Sequence, residues 1–257
     1  MPHVELNTQT IFYAEHRAPG SAIPPVLLIH GAGGQHANWP PQVRRMDAVH
    51  TITPDLPGHG RSGGTGRRTI GEYATDMLAL ADALDMERFI PVGHSMGGAV
   101  ALQLALDAPE RVAGLGLVST GARLRVTPRI LDHVLDDYEK VVDFVVRAAF
   151  GPTADDDLRR LGRRLLMEAR PEVVLRDYLA CDAFDVRERL GEVAAPALVI
   201  GGTADRMTPP EFSSYLAEHI PDAELHLIEG AGHMIAAEFP DRVADILWNW
   251  LARQWEL

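Results

Sequence analysis

The sequence predicts an α/β protein: a mostly parallel central sheet, helices on both of its faces, and one helical segment inserted between two strands. Three observations carry this. Short runs of apolar residues recur, each closing on Gly, Asp or Ser; helix-period segments alternate with them; and the alternation fails once, over residues 123–185. Runs apolar at every position belong to strands buried on both faces, as in a parallel sheet held between helical layers.

In chain order, residues 4–6 and 10–15 mix β-branched and aromatic side chains at a period of about two and read as a hairpin. The strand-like runs are 26–29, 51–53, 89–92, 115–118, 197–200 and 225–228. Helical spacing of apolar residues marks 70–84, 96–106 and 212–219 between them. No internal repeat and no low-complexity tract interrupts the pattern.

Within 123–185, three helices are expected in succession. Thr127-Pro128 supplies an N-cap and first-turn pair for one long helix carrying Leu131, Val134, Leu135, Tyr138, Val141, Val142 and Val145, ended by Gly151-Pro152. The three aspartates at 155–157 favour the start of the second, which carries Leu158, Leu161, Leu165 and Leu166. Pro171 opens the third, with Val174, Tyr178 and Cys181 on one side. The expected organisation is a core of residues 1–122 and 186–257 with a helical cap of 123–185. Doubled apolar stripes such as Val141-Val142 and Leu165-Leu166 leave that cap a second apolar surface, expected to roof a substrate pocket through Leu166 and Tyr178.

Composition removes several function classes. The 257 residues carry a net charge of −12, and Lys140 is the single lysine, so no basic surface awaits nucleic acid or an anionic membrane. One cysteine, Cys181, excludes an intramolecular disulfide and a cysteine metal cluster. Eleven histidines show no H-E-x-x-H spacing, so neither a metal nor any other cofactor is expected. The N-terminus has no charged and then apolar leader, and no apolar run spans a bilayer; a cytoplasmic protein acting on a small molecule is expected, with its oligomeric state left open.

The chemistry concentrates at the ends of strand-like runs. Gly93-His94-Ser95-Met96-Gly97 lies where a strand meets a helix, the sharp turn that exposes a serine hydroxyl and crowds its neighbours into being glycine. Serine is a weak nucleophile and needs a base, which needs an orienting acid. Asp205 follows the run 197–200 in Gly202-Thr203-Ala204-Asp205, and His233 follows 225–228 in Gly230-Ala231-Gly232-His233. An oxyanion hole needs two convergent N–H groups. Met96 is expected to give one, and His30-Gly31-Ala32-Gly33-Gly34 the other, from Ala32 first and Gly33 second. The loop 55–62 is read as structural, Trp39 as packing beneath the glycine-rich turn, and His94 as support for the base.

Together these stretches resemble the α/β-hydrolase superfamily across nearly the whole chain, most of all small bacterial carboxylesterases with a helical cap. The resemblance implies Ser95 as nucleophile, Asp205 as acid, His233 as base, and a cofactor-free cleavage of carboxylic esters. Perhydrolysis, lactone opening and C–C cleavage use the same three residues in similar proteins, and some members of the fold bind without turnover. Serine at the nucleophile position disfavours dehalogenases and epoxide hydrolases, which use aspartate there.

Overall fold

A computed structural model describes residues 2–6 and 9–256. Strands β1 (His3–Leu6) and β2 (Gln9–His16) form the N-terminal hairpin, whose turn lies outside the described residues. After them come β3 (Val26–Ile29), α1 (Pro41–Arg44), β4 (Thr51–Pro54), α2 (Ile70–Ala83), β5 (Ile90–His94), α3 (Met96–Asp107) and β6 (Leu115–Val118). Four helices follow without a strand: α4 (Pro128–Leu131), α5 (Tyr138–Ala149), α6 (Asp156–Met167) and α7 (Pro171–Ala183). The chain closes with β7 (Ala197–Gly202), α8 (Pro210–His219), β8 (Ala223–Ile228), α9 (Ile235–Glu238) and α10 (Pro240–Gln254).

The eight strands form one sheet in the order β1-β2-β4-β3-β5-β6-β7-β8. The pairs β1/β2 and β2/β4 are antiparallel, and every pair from β4 onward is parallel. Side chains alternate between two cores, as a pleated strand requires. Leu27, Ile29, Ala197 and Val199 pack with α2 and α3 on one face. Val26, Leu28, Leu198 and Ile200 pack with Trp39, Val43 and the α10 residues Ile246, Leu247 and Trp250 on the other. Each such aliphatic side chain contributes roughly 1.5–3 kcal/mol by leaving water, which is why these runs carry no polar alternation. Helix α2 is started by a reciprocal cap: Glu72 N–H donates to Thr69 Oγ1, and Thr69 N–H donates to the Glu72 carboxylate.

The inserted helices build a third, smaller core from Ile130, Val134, Val141, Val145, Val174 and Tyr178. An antiparallel bridge between Arg123 and Asp185 joins the two chain segments where the insertion leaves and re-enters. One sequence expectation fails here. The single long helix from Thr127 onward is two helices, because the chain turns through residues 132–137 and Asp137 adopts φ −147°, ψ 59° before α5 begins. Aspartates at 132, 136 and 137 disfavour a helix interior, and the turn buries Val134 while leaving Leu135 exposed. No helix among the described residues is long and apolar enough to cross a membrane.

Candidate active site

Four parallel strands deliver the candidate residues to one edge of the sheet, beyond their C-terminal ends, where open α/β sheets place ligands. Ser95 sits between β5 and α3 at φ 55°, ψ −119°, a left-handed conformation costly for a residue with a side chain. The strain is held by packing. A β-carbon on Gly93 would lie 1.9 Å from Gly97 O, and one on Gly97 would lie 2.2 Å from Ile29 O, so both positions require glycine. The Ser95 N–H donates to Val118 O at 3.0 Å, and Thr120 Oγ1 donates to Ser95 O at 2.8 Å.

His233 Nε2 lies 2.9 Å from Ser95 Oγ, and its Nδ1 lies 2.9 Å from Asp205 Oδ2. A carboxylate can only accept, so Nδ1 carries the proton and Nε2 turns its lone pair to the serine hydroxyl. Burial works to raise the Asp205 pKa, but the electrostatic pull of the His233 ring and the hydrogen bonds from His233 and Thr208 outweigh it and bring it down to about 2. The donors are Met207 N–H at 2.8 Å, Thr208 N–H at 2.9 Å and Thr208 Oγ1 at 2.8 Å. His94 Nε2 donates to His233 O at 2.8 Å, and burial beside His233 lowers its pKa to about 3, so it is neutral and cannot compete for the proton. The His233 N–H in turn donates to Ala149 O, at the end of α5, at 2.7 Å.

Two backbone N–H groups beside Ser95 remain unpaired among the described residues. Met96 is the first residue of α3, and Ala32 stands in the turn after β3; among the described residues neither N–H has a hydrogen-bond partner. Gly33, the second choice from sequence, is already committed: its N–H donates to Asp177 Oδ2 at 2.8 Å. The cavity above Ser95 and His233 measures about 180 Å³ and is walled by Val126, Val145, Phe150, Leu166, Tyr178 and Phe212. Larger than the roughly 150 Å³ that accepts benzene in an engineered core, it suits an apolar group of several carbons.

The loop after β4 is stapled by Asp55, which accepts from His36 N–H, His36 Nδ1 and Arg61 N–H, and by Ser62, whose hydroxyl donates to Asp55 O. Trp39 is buried in the core, its ring edge-on to His94 with centroids 6.4 Å apart. Sequence reading missed Thr208 and Asp177. Thr208 has no local signature. Asp177 did leave one, a carboxylate on the same helical stripe as Val174, Tyr178 and Cys181, where only apolar residues belong.

An alcohol, an imidazole and a carboxylate in one hydrogen-bonded line above a mostly parallel sheet define a hydrolase of the α/β type. The chain matches the alpha/beta hydrolase family over residues 26–246 and belongs to that family. It is 32% identical to RutD of Azorhizobium caulinodans, provisionally named a carbamate hydrolase, over 96% of this chain and 97% of that one. Among solved structures, a thermophilic esterase from Thermogutta terrifontis superposes with TM-score 0.89 at 26% identity, covering 99% of both chains. The enol-lactonase of Burkholderia xenovorans superposes with TM-score 0.88 at 26% identity, covering 98% of this chain and all of that one.

Proposed function

We propose that the protein hydrolyses carboxylic esters, lactones among them, through an acyl-enzyme on Ser95. The observation that carries this reading is the Ser95–His233–Asp205 line opening into an apolar cavity. His233 Nε2 takes the Ser95 proton as Oγ attacks the ester carbonyl. The tetrahedral oxyanion accepts from the Met96 and Ala32 N–H groups, and collapse expels the alkoxide, which takes the proton from His233. Water then attacks the acyl-enzyme by the same proton route, releasing the acid and restoring Ser95. Residues 123–185 serve as a cap that lines the acyl pocket, with Leu166 and Tyr178 in its wall.

The test is turnover of p-nitrophenyl esters of graded acyl length, beside a γ-lactone, a carbamate and a perhydrolysis assay. Esters are expected to give the highest kcat/KM, and a fluorophosphonate to add once per chain, on Ser95. Ser95→Ala is expected to keep the fold and lose roughly a thousandfold or more. A folded Ser95→Ala that keeps most of its activity, or labelling at another residue, rejects the reading.

A further inference from the structure

Asp177 has no solvent exposure, although α7 is otherwise apolar on that side. Burying a carboxylate costs several kcal/mol unless donors surround it. Three do. Tyr73 Oη donates to Oδ1 at 2.5 Å, and His59 Nε2 and Gly33 N–H donate to Oδ2 at 2.7 and 2.8 Å. They come from α2, from the loop after β4 and from the turn after β3, so one cap side chain gathers three core segments. His59 Nδ1 lies 3.0 Å from Pro57 O, so both ring nitrogens face acceptors and the ring is an imidazolium. Burial opposes that charge, but Asp177 overrides it and raises the His59 pKa. The neighbouring His30, its ring 4.9 Å away, is driven down to about 4 by burial and by the His59 charge.

Neutral His30 accepts from Leu56 N–H at Nε2, and its Nδ1–H donates to Gly31 O at 2.8 Å. Gly31 O also accepts from Gly34 N–H at 3.1 Å. In a trans peptide the N–H points opposite to the C=O, so these bonds aim the Ala32 N–H away from the His30 ring. The next peptide is fixed through the Gly33 N–H by Asp177. Gly33 itself sits at φ +64°, packed so that a β-carbon would lie 2.7 Å from Leu166 Cδ1. Two consecutive peptide planes around Ala32 are thus held from opposite sides, one by the core and one by the cap.

We infer that Asp177 is a positioning residue for acyl transfer: by fixing the Ala32–Gly33 peptide from the cap side it keeps Ala32 from swinging, so that the N–H aimed by the core stays in place, and the oxyanion hole is complete only with α7 docked. The inference rests on the ester-hydrolysis reading above. Donors aimed in advance at the developing charge are what make such a hole effective. A donor free to swing loses that advantage while ground-state binding in the apolar pocket is untouched.

The experiment begins with the wild-type enzyme and an activated ester. A burst of one product per chain, or, where acylation limits, a single fluorophosphonate adduct on Ser95, shows that the acyl-enzyme reading stands; the absence of both rejects that reading itself. Asp177→Asn removes the charge and places an N–H₂ against donors. The expected result is an unchanged burst amplitude, a kcat lower by roughly tenfold to a hundredfold, short of the full loss of an oxyanion donor, and a KM within about threefold. Affinity for an aryl trifluoromethyl ketone, which binds as a tetrahedral adduct, falls by the same factor, while a planar amide analogue binds as in wild type. A folded Asp177→Asn with kcat within about threefold of wild type, or with equal losses for the planar and tetrahedral ligands, overturns the inference. If that variant does not fold, Tyr73→Phe and His59→Gln decide it. Their losses in kcat must track their losses in ketone affinity, and unlinked changes, or none, overturn it.

Discussion

Replacing Leu166 by alanine takes an isopropyl group from the wall of the cavity above Ser95. The side chain packs against the small core that Val134, Val145, Val174 and Tyr178 help to form, and its Cδ1 faces Gly33. The Leu166 carbonyl, which accepts from Tyr138 Oη at 2.6 Å, survives the change, so the helix stays anchored. Leu166 is only partly buried, so the stability cost is about 1–2 kcal/mol, below that of a fully buried Leu→Ala. The vacated space admits about two more methylenes. At about 0.8 kcal/mol each they add about 1.6 kcal/mol, or about fifteenfold in kcat/KM for the longer ester over the shorter. The assay is kcat/KM across p-nitrophenyl acetate to decanoate for both enzymes. The optimum is expected to move by about two carbons, with acetate turnover within about threefold of wild type. A length profile that superposes on the wild type, with only the melting temperature lowered, refutes a pocket role for Leu166 and moves substrate choice to the core loops.

Asp205→Asn is expected to fold normally and lose at least a hundredfold in kcat, because an amide can present its N–H₂ to His233 and favour the wrong tautomer. Thr208→Val removes the hydroxyl 2.8 Å from Asp205 Oδ2; a loss of about 1 kcal/mol, seen as about fivefold in kcat, is expected. Stability should fall as pH drops from about 6.5 toward 4. The unfolded chain protonates His30 and His94 there, while the folded protein holds them neutral down to about 4 and about 3. Each adds a slope of about 1.4 kcal/mol per pH unit, so urea titrations of His94→Gln should show that slope reduced by one histidine's share; an unchanged slope refutes the assignment. Asp205 adds to the loss below about pH 4, since its folded pKa is about 2 and its stabilisation vanishes as pH falls through that value. A chelator should leave ester turnover unchanged, since no three ligating side chains gather to hold a metal among the described residues; inhibition reversed by zinc would contradict this.

Much of the molecule is legible in the sequence because its signals are local. The runs at 26–29, 115–118 and 197–200 are apolar on both faces, and only a strand between two helical layers buries both. Gly93 and Gly97 flank Ser95 because the turn leaves no room for a β-carbon, a constraint written within five residues. Ser95, Asp205 and His233 each follow a strand, and parallel strands put their ends on the same edge, so chain order alone brought them near one another. What local pattern could not decide was distance and commitment. Gly33 and Ala32 are equivalent as letters, yet Gly33 spends its N–H on Asp177, 144 residues away, and Ala32 does not. The long helix expected after Thr127 breaks over residues 132–137 because burying Val134 in the cluster with Val141 and Val174 outweighs a continuous stripe. Asp177 leaves only a charge on an apolar face as its trace in the sequence, and its meaning comes from three donors on three separate segments. Periodicity reports what a residue does to its own element; which partner a buried polar group finds depends on elements far along the chain, and only the packed tertiary structure brings them together.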